Sequence, residues 1–291
     1  MTGLFRVHEI GQSVWEIVDI ADCHCYLVRG SRRAVLVDSC LGVGNLRTCV
    51  QEVAGSLPVT VLLTHRHYDH VAGSYLFDDV HMPEGEGVHP EIAEGQNALR
   101  LKILEGEDRI DSETVCAMSD GKRPWFQTVR EGDVFDLGGI TIEAVSLPGH
   151  TDHSMGYLVR ERRLLLSGDA VTPIMCLFFP ESLPIAEWKE TLAKMEELDF
   201  DIFRTGHHSH SFTKADIAGF EHLADYALSA TNWMEWMHSF LPDCTGSLYV
   251  PPESDITDVD SPYFRALIGP YRPRPKKHRR HRRHSAGEEG Q

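Results

Sequence analysis

The 291-residue sequence contains no run approaching the ~20 consecutive apolar residues that a membrane span requires. Its opening, Met1-Thr2-Gly3-Leu4-Phe5-Arg6-Val7-His8, lacks the basic start and apolar stretch of a secretory leader. Paired cysteine spacing is missing as well. The 7 cysteines are an odd number scattered from Cys23 to Cys244, which argues against a small disulfide scaffold and fits reduced thiols. From these absences we expect a soluble, unexported, cytoplasmic protein. No serine lies in a Gly-x-Ser-x-Gly elbow, so that kind of nucleophile is not on offer. No internal repeat is visible.

Basic residues are scarce in the body of the chain. The totals are 28 basic against 44 acidic residues, but residues 271–291 hold 8 of the bases and only Glu288 and Glu289 of the acids. The preceding 20 bases and 42 acids give the body a charge of −22. Such a body repels nucleic acid and anionic membranes, so neither is an expected partner. With almost nothing apolar, the basic tail 271–291 cannot offset the entropy of ordering and is expected to be disordered. The remaining 1–270, with 42% hydrophobic residues overall, suffices for one large domain.

Within that body the densest chemistry follows an apolar, β-branched run, Val59-Thr60-Val61-Leu62-Leu63, which stops at Thr64-His65-Arg66-His67-Tyr68-Asp69-His70. A buried strand delivers metal-capable side chains to a site at its C-terminal end in this way. In an extended turn His65 and His67 point the same way. Asp69 and His70, opening a helix, face a second position, and that geometry suits two metal ions better than one.

The same device recurs downstream. Strands at 140–147, 154–159 and 164–167 are expected, and the outer two run into Gly149-His150 and Gly168-Asp169, where glycine lets the backbone turn sharply and aim the next side chain. A strand at 200–203 leads to Gly206-His207. Asp152, His153, His208 and His210 are read as neighbours rather than ligands.

The rest supplies scaffold. Strands are expected at 13–20, 23–29 and 34–38, and a helix at 45–54 capped by Asn45. Cys23 and Cys25 alternate with His24, so both thiols share one face; they are read as buried core thiols, with a metal or redox pair as the alternative. The irregular 81–130, with one helix between Pro90 and Leu104, reads as a cap-like excursion. It forms the pocket mouth together with Leu177, Phe178 and Phe179, and Trp125 and Phe126 either line it or pack it onto the sheet. A helix at 186–198 buries Trp188, Leu192 and Met195. The C-terminal part, 211–245, is expected to be helical over 214–240, its Trp233, Trp236, Met237 and Phe240 stripe serving as core or as a homodimer contact. Beyond Asp243 the regular pattern fades.

With these motifs assembled, the chain resembles the metallo-β-lactamase fold superfamily of metal-dependent hydrolases. The resemblance rests on Thr64-His65-Arg66-His67-Tyr68-Asp69-His70-Val71-Ala72-Gly73, Gly149-His150, Gly168-Asp169 and Gly206-His207, in family order. It implies an α/β fold, a four-layer αββα sandwich of two mixed β-sheets with outer helices. It further implies His65, His67 and His150 on a first metal, Asp69, His70 and His207 on a second, and Asp169 bridging. The implied cofactor is two Zn²⁺ per chain, and the nitrogen and oxygen ligand set is equally compatible with Mn²⁺ or Fe²⁺. A metal-bridging hydroxide is the implied nucleophile, with Asp69 as ligand and proton acceptor.

The residues also narrow the family. Asp169 stands where the dizinc β-lactamases have cysteine, and His67 where oxygen-reducing diiron relatives carry glutamate. Glutathione thioesterases use late basic residues, of which 200–270 offers Arg204, Lys214 and Arg265. Cys40 in Asp38-Ser39-Cys40 departs from the usual Asp-Thr-Gly and puts a supporting role of Asp38 in question. What remains is hydrolysis of a small acyl substrate, an ester, lactone or thioester. The alternative is a phosphodiesterase or nucleic-acid-processing protein using the basic tail.

Overall fold

A computed structural model describes residues 4–87, 126–237, 245–255, 257–258, 261 and 263–272. The first sheet has strand order β1 (Arg6–Gly11), β2 (Val14–Val18), β3 (His24–Arg29), β4 (Ala34–Val37), β5 (Val59–Leu62), β6 (Val80–Pro83) and β7 (Phe126–Val129). Its β1–β4 half is antiparallel and its β4–β7 half parallel. The second sheet comprises β8 (Val134–Asp136), β9 (Thr141–Ser146), β10 (Met155–Val159), β11 (Leu164–Leu166), β13 (Ile202–Arg204) and β14 (Phe212–Thr213). There only β11 and β13 run parallel. Both large sheets are therefore mixed, as the resemblance implies.

Strict alternation along the strands divides the core. Tyr26 and Val28 on β3, and Val35 and Val37 on β4, face Tyr157 and Val159 of β10 and Leu164 and Leu166 of β11 across the two sheets. The intervening Cys25, Leu27, Ala34 and Leu36 point the other way, onto α1 (Leu46–Ala54) through Leu46 and Val50. Asn45 caps that helix, its Oδ1 accepting from Thr48 N at 3.0 Å. On the far face of the second sheet, Leu158 and Leu165 pack with α3 (Ile185–Glu197) and α4 (Ile217–Ser229). Strands buried on both faces explain the nearly continuous apolar runs in the sequence.

Three features differ from the sequence reading. A third sheet, absent from it, orders β12 (Ile174–Cys176), β17 (Ala266–Pro270), β16 (Thr245–Tyr249) and β15 (Met234–Met237). It recruits the connection after Asp169 and the region beyond Asp243, where only a fading pattern is visible in sequence. The helix expected over 214–240 stops at Ser229: Ala230 turns to extended backbone, and Trp236 and Met237 lie in β15. Pairing of Met234–Met237 with Thr245–Leu248 overrides the local helical spacing. Leu177, assigned to the mouth, is 1% exposed and belongs to the core beside α3. The helix expected between Pro90 and Leu104, Trp125, Phe240 and the tail from Pro273 onward lie outside the described residues. Among the described residues no helix is long and apolar enough to cross a membrane.

The anchor of the helical layer over the second sheet is Trp188, 0% exposed, whose Nε1 donates to Ala170 O at 2.9 Å beside Asp169. Trp188→Ala should lower stability by about 3–5 kcal/mol through the cavity it leaves. Urea unfolding should show a lower midpoint with an unchanged slope.

Candidate metal centre

Four turns bring the site residues together at one end of the sandwich. Beyond β5 come Thr64 and His65, then His67 and the short helix α2 (Tyr68–Val71), which carries Asp69 and His70. Beyond β9, β11 and β13 come Gly149-His150, Gly168-Asp169 and Gly206-His207. The two sheets are joined here, Met155 N donating to Thr64 O at 2.8 Å and Tyr157 Oη to Leu63 O at 2.7 Å. Gly206 is required by space: a Cβ there would lie 2.3 Å from Asp169 Oδ1 and 2.6 Å from His70 Cε1. Gly168 adopts φ +53°, and a Cβ would strike the Thr64 side chain.

All seven sequence-predicted residues converge. Ligand atoms of His65, His67 and His150 lie within 4.8 Å of one another, with His67 Nδ1 and His150 Nε2 2.8 Å apart. A second group unites His65, His70 and Asp169, and a third Cys23, Asp69 and His207, each within the same 4.8 Å. Asp169 Oδ2 stands between the groups, 3.2 Å from His207 Nε2, 3.4 Å from His70 Nε2 and 3.7 Å from His150 Nε2. One carboxylate is thus positioned to touch both halves of the centre. His208 and His210 join none of these groups, and Asp152 and His153 are exposed.

The outer nitrogens of four histidines are engaged by the protein. His65 Nδ1 is 3.0 Å from Thr64 Oγ1, and His70 Nδ1 is 2.9 Å from Asp38 Oδ2. His150 Nδ1 donates to Cys176 O at 2.8 Å, and His67 Nε2 is 3.0 Å from Glu181 Oε1. Each ring therefore presents its other nitrogen to the centre, which is how metal-ligating histidines are held. His65 Nε2, His70 Nε2 and Asp169 Oδ1 are buried without a hydrogen-bond partner. Buried polar atoms left without a hydrogen-bond partner in this way fit a cation.

The electrostatics agree. Burial drives His65 well below the usual histidine range, helped by the charge of His70 and its other ring neighbours. Burial and His67 hold His150 down to about 4. Burial also opposes protonation of His70 and His207, but Asp169 above all raises both well above the ordinary value. For Asp69 and Asp169 burial favours the neutral acid, yet the charges of His70 and His207 keep both carboxyls low. The carboxylates thus favour positive charge at the His70 and His207 rings, the place a cation would take.

Several contributors escaped the sequence reading. Glu181, 114 residues from His67, has no motif, and burial would raise its carboxyl, but the bond to His67 brings it down to about 2. Glu86, fully buried, accepts from Arg66 N at 3.0 Å and from the Thr151 hydroxyl, tying the His65–His67 turn to the turn after His150. Asp38, questioned above because of Cys40, accepts from Thr64 N at 2.7 Å and from the Thr64 hydroxyl, and so orients His65 through Thr64 as well as His70 directly. Cys23, read as core, has its sulfur beside Asp69 and His207. The only sequence signal for it was its place in Asp22-Cys23-His24-Cys25 at a strand entrance.

An aromatic row leaves the centre. The Phe179 ring is 4.6 Å from His67 and 5.5 Å from His150, Phe178 is 4.1 Å from Phe179, and Trp236 of β15 is 4.7 Å from Phe178. The third sheet thereby borders the site.

Comparison with known proteins agrees with this architecture. Residues 18–207 match the family model described as the metallo-beta-lactamase superfamily, and the chain belongs to that superfamily. It is 33% identical over 168 residues to the acyl-coenzyme A thioesterase MBLAC2 of Bos taurus, covering 50% of this chain and 57% of that one. Identity to a hydroxyacylglutathione hydrolase of Bartonella henselae is 28% over 158 residues, covering 54% and 50%. The chain thus spans little more than half the length of these curated relatives. Among solved structures, a metallo-beta-lactamase from Pontibacter korlensis aligns with TM-score 0.51 at 15% identity, covering 76% of this chain and 99% of that chain, a likeness of fold.

Two outcomes are expected. Glu181→Gln, which removes the charge behind His67, should weaken metal binding about 10–100-fold in a competition titration with a chromophoric chelator. Because His70 and His207 hold protons in the metal-free protein, loading must expel them, so affinity should rise with pH. A pH-indicator titration at neutral pH should register that release.

Proposed function

We propose that the chain is a dinuclear, zinc-dependent hydrolase of acyl thioesters. The observation that carries the reading is the continuity between the histidine and carboxylate centre and the aromatic row Phe179, Phe178 and Trp236. Reactive atoms and an apolar track adjoin, as an acyl substrate needs. The named activities of the thioesterase and hydroxyacylglutathione hydrolase relatives favour a thioester among the ester-type bonds.

Two divalent ions at this centre would supply Lewis acidity toward the carbonyl and lower the pKa of water to about 7. His65, His67 and His150 would hold one ion, and Asp69, His70 and His207 the other, with Asp169 shared. Asp38 and Glu181 fix the rings of His70 and His67. Asp69, its side chain 19% exposed against 11% for Asp169, is the carboxylate nearer solvent and takes the proton-accepting role. Phe179 and Phe178 receive the first methylenes of the acyl chain and exclude water from that side.

Among the described residues of 200–270, the three bases are held by other contacts. Arg204 lies 3.4 Å from Glu16, Arg265 stacks 4.1 Å over Phe220, and Lys214 bonds to Leu198 O. The acyl side is bordered by the aromatic row, and we assign recognition to that row.

An acyl-chain series tests this. With acyl-CoA and acyl-glutathione thioesters of increasing length, kcat/KM should climb by up to about fourfold per buried CH2, following ~0.8 kcal/mol each. Phe178→Ala should flatten that climb through KM while leaving metal content intact. Cleavage of bis(p-nitrophenyl) phosphate in the absence of thioester turnover would overturn the reading.

A further inference from the structure

Cys23 occupies a place that the metal set drawn above does not use. Its side chain is only 4% exposed, yet its sulfur, a carboxylate oxygen of Asp69 and a ring nitrogen of His207 all lie within 4.8 Å of one another. The sulfur's other polar neighbour is Ala21 O at 3.8 Å, a weak contact. Its position is built rather than incidental. Asp19, 1% exposed, accepts from Ala21 N at 2.8 Å, Cys23 N at 3.0 Å and Leu41 N at 3.0 Å, clasping the turn between β2 and β3. The next residue closes the arrangement: His24 N donates to Gly206 O at 2.8 Å, pinning the turn against the segment that carries His207.

An independent observation points to a ligand in the same space. His70 Nε2 and Asp169 Oδ1 are buried without hydrogen-bond partners on this side of the centre, and Asp169 Oδ2 is 3.2 Å from His207 Nε2. A cation held by Asp69 and His207 would have the Cys23 sulfur within reach as a further donor.

We propose that Cys23 is a direct thiolate ligand of the second metal ion, beside Asp69, His70, His207 and the shared Asp169. The inference rests on the dinuclear reading above. On binding, the Cys23 thiol gives its proton to solvent and the sulfur lone pair goes to the ion. The first position would then be all-imidazole apart from the bridge, and the second would contain sulfur. A soft donor biases the second position toward zinc or cobalt and away from manganese, so the two positions should differ in metal preference.

Cobalt(II) reads this directly. The full chain loaded with two equivalents of Co²⁺ should show a near-ultraviolet thiolate-to-cobalt charge-transfer band that grows with the second equivalent. In Cys23→Ala and Cys23→Ser the band should vanish. Affinity for the second ion should fall by about 10-fold or more, since even outer partners of metal ligands are worth that much, while the first ion binds as before. Two bound cobalt ions without the band in the unmodified protein would overturn the proposal, and that measurement depends on no variant folding. So would a band that survives Cys23→Ala and disappears in Cys176→Ala. A plateau at one cobalt per chain would instead defeat the dinuclear reading, and the band's presence or absence there would still decide whether Cys23 ligates.

Discussion

The constraint on which the rest of the structure depends is the convergence of imidazole lone pairs and carboxylates on one small buried volume. Left alone, such groups repel one another and forgo hydration, a cost that burial multiplies. The fold tolerates it because each group is clamped from outside. Asp38 holds His70 and, through the Thr64 hydroxyl, His65; Cys176 O holds His150; Glu181 holds His67. Against burial, Asp169 above all raises His70 and His207 well above the usual histidine range, so positive charge on their rings offsets the remaining imbalance. A divalent cation would meet the same imbalance at the same place.

The sandwich supplies the clamps through its strand ends. Turns from both sheets open at one edge, and the inter-sheet bonds of Met155 N and Tyr157 Oη to the Thr64 and Leu63 carbonyls lock the sheets together where ligands from each must meet. Register errors are penalised strongly here. A slip of one residue would turn Tyr157 and Val159 out of the inter-sheet core and move the following turn. Stability and site geometry are therefore set by the same contacts.

The third sheet has a different task. It lies beyond the 18–207 region shared with the superfamily except for β12, and it brings Trp236 against Phe178. The candidate metal centre lies in the part common to the superfamily, and Trp236 of the third sheet borders it. Such a division lets one centre serve different substrates by changing what borders it.

How much of this is legible in the sequence follows from the range of the forces involved. The seven candidate ligands were readable because all follow strand ends: His65, His67, Asp69 and His70 crowd directly after the apolar run of β5, and His150, Asp169 and His207 each follow a glycine at the end of a further strand. Asn45 at the start of α1 is local too. Asp38 was recognised but doubted, because only the fold shows its carboxylate reaching both Thr64 and His70. Glu181 carried no signal, being 114 residues from the histidine it holds, and Cys23 only the weak one of its alternating Cys-His-Cys, since it meets Asp69 and His207 only when the β2–β3 turn docks on Gly206. Residues 234–237 have helical spacing and become a strand because β16, distant in space until folding, offers backbone partners that the local pattern does not contain. Sequence by itself determined which side chains are candidate metal ligands, since strand ends and turns are short-range. Tertiary structure decided what orients them and what stands beside them, since hydrogen bonds and strand pairing join residues that the chain keeps far apart.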